Sequence, residues 1–471
     1  MKRISLFLVA VLAFTFSPAQ KNIEGAWEGK LTIGNNSLRL VFHLKKEGDG
    51  FSGTMDSPDQ GAKGIGLSKV ELTNDTLLME IASIGGKAIG RIVNDSTIHG
   101  KWVQGMSLPL ELKKVAAPST VNRPQTPKPP FAYTSEDVVY HHPAKSIQYG
   151  ATVTIPNGAG PFPAMILITG SGPQNRDEEL LGHKPFAVLA DYLTKQGYVV
   201  LRVDDRGIGQ TTGKMDSATS RDFAEDVKVG LDYLKGRQEV EKTKIGMLGH
   251  SEGGMIAQIV AAERPDVAFV ISLAGPGQKI DELMLEQNKA VMLAAGTPNE
   301  AVDEYLKLYK SLLPAIVYAP SDSTAKLAAT VLFGQWMKAA PRKTVVMTTG
   351  VTSEKDIPNF VNRFTETLRS PWFTYFLQYD PGPFIRKMKA AVLVLNGEKD
   401  IQVASKPNLD GWRASLAKSG VKKYDIVELE GLNHLFQHCT TCTIAEYGQL
   451  EETFAPEALE AIGLWLKANV R

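Results

Sequence analysis

The stretch Lys244–Met255, Lys-Ile-Gly-Met-Leu-Gly-His-Ser-Glu-Gly-Gly-Met, constrains the fold more than any other in the chain. Ile245 to Leu248 reads as a buried parallel strand and Met255 to Ala262 as a helix. Between them stands Gly249-x-Ser251-x-Gly253. A serine between two glycines at a strand-to-helix turn sits in a strained backbone conformation. Its neighbours need to be glycine, because a side chain there would strike the adjoining strand and helix. The turn lifts the Ser251 hydroxyl out of the sheet edge. It also leaves the backbone N–H of Glu252 free at a helix N-terminus, where an oxyanion can bind. The competing reading is a glycine-rich turn without chemical meaning; a strand before it and a helix after it count against that.

The chain has room for more than this unit. Its 471 residues point to two or three units. A formal net charge of +1 gives no electrostatic case for binding nucleic acid or an anionic membrane. Residues 1–19 read as a secretory signal. Lys2 and Arg3 precede the apolar run Leu6–Phe16, and Ser17-Pro18-Ala19 supplies small residues for cleavage, with Gln20 as the expected mature start. That run is too short to span a bilayer, no cysteine follows it to carry a lipid anchor, and no later run reaches spanning length. The only cysteines are Cys439 and Cys442. In an exported protein a structural disulfide is favoured. Free thiols and redox chemistry are the alternatives, and two cysteines alone cannot close a tetrahedral zinc shell.

Taken in order, residues 20–114 look all-β. Eight short strand-like runs (27–33, 38–44, 51–55, 67–72, 76–81, 88–92, 97–102 and 108–112) are separated by turns such as Gly34-Asn35-Asn36. They predict a small barrel or sandwich. Gly25-Ala26-Trp27 resembles the G-x-W opening of lipocalin-type barrels. The unit is either a binding module or a packing domain. Residues 115–130 hold prolines at 118, 124, 127, 129 and 130 and read as a semi-rigid extended linker. From Phe131 strands and helices alternate. An antiparallel pair (137–140 and 151–155) opens the run, followed by strands at 164–169, 198–203 and 267–273 and helices at 183–196 and 220–235. This predicts a mainly parallel sheet covered on both faces. Residues 276–389 interrupt the rhythm with helical patterns at 280–295, 301–313, 323–331 and 358–368, which predict a cap insertion. Inside it lies an aromatic cluster with Trp372, Phe373, Tyr375 and Phe376. These rings are either the core of the cap or an apolar pocket wall. The sheet resumes with strands at 391–395 and 424–429, and helices at 412–418 and 456–469 close the chain.

A serine hydroxyl needs a base within hydrogen-bond reach, and the base needs a partner that fixes its tautomer. Asp400 and His434 each follow a predicted strand, as Ser251 does, so all three come to one sheet edge. His438 competes with His434, and Glu398 with Asp400. His250 is pinned beside the serine and points elsewhere. The loop after the strand ending at Thr169 offers a second oxyanion donor, the backbone N–H of Ser171. Arg176-Asp177 and Asp204-Asp205-Arg206-Gly207 are expected to brace these loops by ion pairing.

Residues from about Phe131 to Arg471 resemble the α/β-hydrolase superfamily, in the branch of exported bacterial esterases similar to serine aminopeptidases and acylaminoacyl hydrolases. The resemblance is carried by Gly-Ser-Gly-Pro-Gln-Asn-Arg-Asp (170–177), Asp-Asp-Arg-Gly (204–207), Gly-His-Ser-Glu-Gly-Gly (249–254), Asn-Gly-Glu-Lys-Asp (396–400) and Leu-Asn-His (432–434). The chain order serine, acid, histidine is that of the superfamily. Thr169 stands where lipases carry a histidine. The resemblance implies hydrolysis of an ester or amide through an acyl-enzyme, with no cofactor and no metal. It does not cover the N-terminal β unit. The expectation is an exported serine hydrolase of small carboxylic esters, with a peptidase or acyl-peptide hydrolase as runner-up. A binding protein that works through its β unit is the reading of a different class. Trp372, Phe373 and Phe376 are the expected substrate-pocket residues. Truncating Trp372 or Phe376 is expected to alter chain-length preference while leaving the rate of labelling by a small fluorophosphonate little changed.

Overall fold

The computed structural model describes residues 22–33, 36–118 and 121–470; the signal-like segment lies outside them. The described residues fall into two compact units. Residues 22–58 and 62–118 make the first, and residues 59–61 and 121–470 the second.

The first unit is one antiparallel sheet. Its strands are β1 (Gly25–Ile33), β2 (Asn36–Glu47), β3 (Gly50–Ser57), β4 (Ala62–Gly66), β5 (Lys69–Thr73), β6 (Thr76–Ile81), β7 (Gly86–Asn94), β8 (Thr97–Gln104) and β9 (Met106–Val115). They lie in the order β4-β3-β2-β1-β9-β8-β7-β6-β5, curled over a core that includes Trp27, Phe42, Met79 and Trp102. The expected barrel is therefore an open half-barrel, with β4 and β5 as its edges. Strand β4 escaped the sequence reading because Ala-Lys-Gly-Ile-Gly lacks the apolar alternation that marks a half-buried strand. Trp27 anchors the opening strand, its Nε1–H donating to the Ile23 carbonyl at 2.8 Å.

The second unit carries the alternating pattern. Its strands are β10 (Thr134–His141), β11 (Gln148–Ile155), β12 (Phe162–Ile168), β13 (Val199–Val203), β14 (Val240–His250), β15 (Phe269–Leu273), β16 (Ala391–Gly397) and β17 (Tyr424–Leu429). They form one sheet in the order β10-β11-β13-β12-β14-β15-β16-β17. The β10–β11 and β11–β13 pairs are antiparallel and the rest parallel. Both faces are buried, so the central strands read as continuous apolar runs. In β12, Ile166 and Ile168 join one core while Met165 and Leu167 join the other.

Helices α1 (Pro185–Lys195), α2 (Ser220–Gly236) and α3 (Glu252–Glu263) cover the first strands. Between β15 and β16 run α4 (Ile280–Ala294), α5 (Asn299–Val317), α6 (Asp322–Ala339), α7 (Arg342–Thr349), α8 (Ile357–Leu368), α9 (Pro371–Leu377) and α10 (Pro381–Lys387). Then come α11 (Ser405–Leu416), α12 (Ile444–Tyr447) and α13 (Pro456–Asn469). Helix α11 begins seven residues before the expected helix at Trp412. Pro407 and Gly411 disguised its first turns. Gly411 is required because a Cβ there would strike the Gly277 carbonyl. Helix α9 is made from the aromatic cluster. It is opened by Ser370, whose Oγ accepts from the Phe373 N–H, with Pro371 at its first position.

The Pro-rich segment is fastened to the second unit from Arg123 onward. Arg123 donates to the carbonyls of Leu181 and Gly448 at 2.9 Å each, and Gln125 Oε1 accepts from the N–H groups of Thr453 and Phe454. Among the described residues, no helix is long and apolar enough to cross a membrane.

Candidate active site

The strand order places the site. Strand β13 lies on one side of β12 and β14 on the other, so the chains leaving β12 and β14 diverge. A crevice opens at such a switch point, outside the carboxyl ends of the strands. The loop after β12 holds Gly170 and Ser171, and the turn after β14 holds Ser251.

That turn is strained as expected. Ser251 has φ 52° and ψ −118°, outside the regions a serine ordinarily occupies. Backbone contacts fix it. A Cβ at Gly249 would collide with the Gly253 carbonyl, one at Gly253 with the Ile168 carbonyl, and one at Gly254 would lie 2.6 Å from Gly275 Cα. The Ser251 N–H donates to the Leu273 carbonyl at 2.8 Å, which ties the turn to β15. Among the described residues, no protein acceptor takes the backbone N–H of Ser171 or of Glu252, whereas that of Gly170 is held by Glu178 Oε1 at 2.6 Å.

His434 and Asp400 come together behind the serine. Nδ1–H of His434 donates to Asp400 Oδ2 at 2.7 Å, which fixes the tautomer with Nε2 free. Asp400 is held in turn. Its Oδ1 accepts from the N–H groups of Gln402 and Val403 at 2.8 Å each, and its Oδ2 from Asn396 Nδ2 at 3.3 Å. Asp400 and His434 are 5% and 4% exposed. The two competitors lie apart from this pair. Glu398 is exposed and accepts from the Gly431 N–H at 3.0 Å. His438 is exposed between Glu452 and Glu457.

Ser251, His434, Ser171 and Glu252 line one cavity of about 270 Å³. Its opposite wall comes from the cap, where Ile280, Leu283, Met284, Trp372, Phe373 and Phe376 face it. The three aromatic residues expected at the pocket are therefore present. They also pack against one another, with Trp372 and Phe376 stacked at 5.2 Å between ring centroids. Among the described residues, no Lys or Arg lines the cavity.

The carboxylates around the site were less legible. Glu252 is buried, and its Oε1 accepts from Ser220 Oγ at 2.7 Å and from Trp372 Nε1–H at 2.8 Å. Burial pushes its carboxyl above the ordinary range, against the opposing hydrogen bonds of Ser220, Trp372 and Ser171. Glu178, which follows Arg176 and Asp177 and is not singled out by the sequence, is 5% exposed. It meets His250 Nδ1 at 3.0 Å. The expected braces also form. Arg176 binds Asp204 through Nε at 3.1 Å and Nη2 at 2.6 Å, and Arg206 binds Asp226 through Nε at 2.6 Å. Thr169, where lipases carry histidine, donates to Asp205 Oδ1 at 2.9 Å. Burial pushes the Asp205 carboxyl up to about 7, against its bonds from Gln174 and Thr169 and with the help of nearby Glu178 and Glu252.

Beside the histidine loop, Cys439 and Cys442 are joined as a disulfide. Glu446 caps the loop between them by accepting from the N–H groups of Thr440, Thr441 and Cys442.

A model of the serine aminopeptidase S33 family matches residues 184–338. That stretch contains Ser251 and ends before Asp400. The esterase EstD of Thermotoga maritima is 26% identical over 283 residues, 60% of this chain and 57% of that protein. YtaP of Bacillus subtilis is 31% identical over 119 residues, 22% of this chain and 40% of that protein. The chain thus spans little more than half the length of the first of these relatives and less of the second. Among solved structures, the dienelactone hydrolase of Anabaena variabilis superposes with a TM-score of 0.39 at 14% identity, covering 72% of this chain and 100% of that one.

Proposed function

We propose that this chain, an α/β-hydrolase, is an exported serine hydrolase that cleaves carboxylic esters through an acyl-enzyme. The observation that carries the reading is the shared cavity. Ser251 and His434 line it, His434 is oriented by Asp400, and the unclaimed N–H groups of Ser171 and Glu252 belong to residues of the same wall. Ser251 attacks the carbonyl carbon while His434 Nε2 takes its proton. Asp400 holds His434 in the required tautomer and stabilises the imidazolium that forms. The two N–H groups receive the oxyanion. His434 then returns the proton to the departing alcohol, and water repeats the sequence to release the acid. Every step uses groups of this chain.

The cavity favours esters over peptides. A peptide terminus needs a free opposite charge. Among the described residues no Lys or Arg lines the cavity, the His250 ring is held by Glu178 and the His434 carbonyl, and the carboxylates of Glu178 and Glu252 are already engaged by hydrogen-bond donors. The family match speaks for amide hydrolysis as the second reading, because the same machinery serves both bonds. Export is supported by the signal-like residues 1–19 and by the joined cysteines, which persist in oxidising compartments.

The test is a panel of p-nitrophenyl esters and aminoacyl-anilides run on the wild type and on Ser251→Ala. Ester turnover that falls by about 10⁶ in kcat in the variant, with one fluorophosphonate label per wild-type chain at Ser251, is expected. Near-normal activity in the variant, or a label on another serine, overturns the nucleophile. Anilides turned over faster than esters overturn the substrate class.

A further inference from the structure

His250 adjoins the nucleophile but reaches away from it in two directions. Its Nε2 lies 3.0 Å from the backbone carbonyl of His434, and its Nδ1 lies 3.0 Å from Glu178 Oε1. A carbonyl can only accept, so Nε2 carries a proton. A carboxylate facing Nδ1 favours a proton there too, which makes the ring an imidazolium. The same Glu178 oxygen accepts from the Gly170 N–H at 2.6 Å, one residue before Ser171. Three separate loops therefore meet on one buried pair: the loop of the oxyanion donor, the turn of the nucleophile and the loop of the base.

We propose that Glu178 and His250 form a positioning pair that fixes Ser171, Ser251 and His434 relative to one another. The proposal rests on the serine-hydrolase reading above. Both residues line the cavity, but their polar atoms are engaged with each other, with the Gly170 N–H and with the His434 carbonyl. The pair acts through the backbone of His434 and of Gly170.

The His250 and His434 rings lie 4.8 Å apart between centroids. The ionisable groups that face His250 are Glu178, His434 and Asp400. Burial alone would drive a proton off His250. The Glu178 carboxylate, the His434 carbonyl and Asp400 outweigh it and hold the ring above its ordinary value. The cation is therefore kept to higher pH than on an ordinary histidine. Its stabilising effect is complete below the ordinary histidine value and is lost only as pH rises through the raised one.

The experiment measures kcat and KM for one p-nitrophenyl ester between about pH 5 and pH 9 in the full-length wild type, His250→Gln and the double variant Glu178→Gln/His250→Gln. In His250→Gln the imidazolium that ties the Glu178 carboxylate to the His434 carbonyl is gone. Across the plateau of the profile kcat should fall at least ~10-fold with KM little changed, because the donors shift while the acyl wall does not. In the double variant kcat stays low. A folded His250→Gln with wild-type kcat overturns the proposal. If that variant does not fold, the double variant decides: low kcat at unchanged KM supports the proposal and wild-type kcat overturns it. Ser251→Ala, run alongside, separates this failure from failure of the parent reading. An inactive Ser251→Ala beside a His250→Gln of wild-type kcat rejects the positioning pair alone.

Discussion

The two walls of the cavity are built on different principles. The wall behind Ser251 is held by backbone and hydrogen bonds. Gly249, Gly253 and Gly254 leave no space for a Cβ, and Asp400 accepts from two N–H groups, an asparagine and the histidine. The wall facing it is made of side-chain surface from α4 and α9, partly buried and stacked ring on ring. The first wall tolerates almost no change in position, since reaction depends on placement within fractions of an ångström. The second offers area, and apolar burial is non-directional, so residues of similar size can replace one another there. Chemistry and selectivity are thus assigned to separable parts of one site, with Trp372 as the link. Its ring lies in the cap, but its Nε1–H bonds the side chain of Glu252, whose backbone N–H is one of the two proposed oxyanion donors.

The comparison can be broken most severely at the rigid wall. Asp400→Asn should preserve the fold and present the wrong histidine tautomer, lowering kcat by about 10⁴ while KM stays near the wild-type value. A mild loss there, with a severe one in Glu398→Gln, would move the acid to the exposed residue that the geometry disfavours.

The next effect tests the link. Phe376→Ala should change the chain-length preference of kcat/KM by a few-fold per carbon, because each buried CH₂ contributes about 0.8 kcal/mol. Its fluorophosphonate labelling rate should match the wild type. Trp372→Ala should alter both, with labelling slowed about 10-fold, because Glu252 loses a buried donor and the oxyanion site loosens. The sequence alone led to the expectation that both truncations would spare labelling. Equal labelling rates in the two variants would restore that expectation and remove Trp372 from the link.

The smallest effect on turnover lies below the rigid wall, at Asp205. Its carboxyl is pushed up to about 7, so the folded chain holds a proton that the unfolded chain has already lost above about pH 4. Folded-state stability therefore falls as pH rises from about 4 to about 7 and then levels. Asp205→Asn should remove that slope. The variant should gain about 1–3 kcal/mol on the wild type between the two ends of the window, with kcat changed less than in any variant above. Melting curves at about pH 5 and about pH 8 read it directly. Parallel pH profiles for both proteins would show that Asp205 is ionised throughout.

The sheet was legible because its signal is local. A strand buried on both faces needs a continuous apolar run, and Ala164–Thr169, Tyr198–Val203 and Ala391–Leu395 supply it within a few residues each. Helix starts were harder. The beginning of α11 is written with Pro407 and Gly411, and only the packing of Gly277 against that backbone makes the glycine necessary. That the nine-stranded curl of the first unit is an open half-barrel was not legible, because nothing in a strand's own residues states whether the sheet's last edges meet.

The sequence by itself determined on which edge of the sheet Ser251, Asp400 and His434, the proposed triad, stand. Strand–Gly-x-Ser-x-Gly–helix is a local steric instruction, and Asp400 and His434 follow strands of the same sheet. It could not determine how their neighbours are protonated or paired. Glu178 and Glu252 carry the same side chain as the exposed Glu179 and Glu398. Only burial against Gly170, His250, Ser220 and Trp372 separates them. The energy of a charge depends on the dielectric and the donors around it, and those are assembled from segments up to 120 residues apart in the chain.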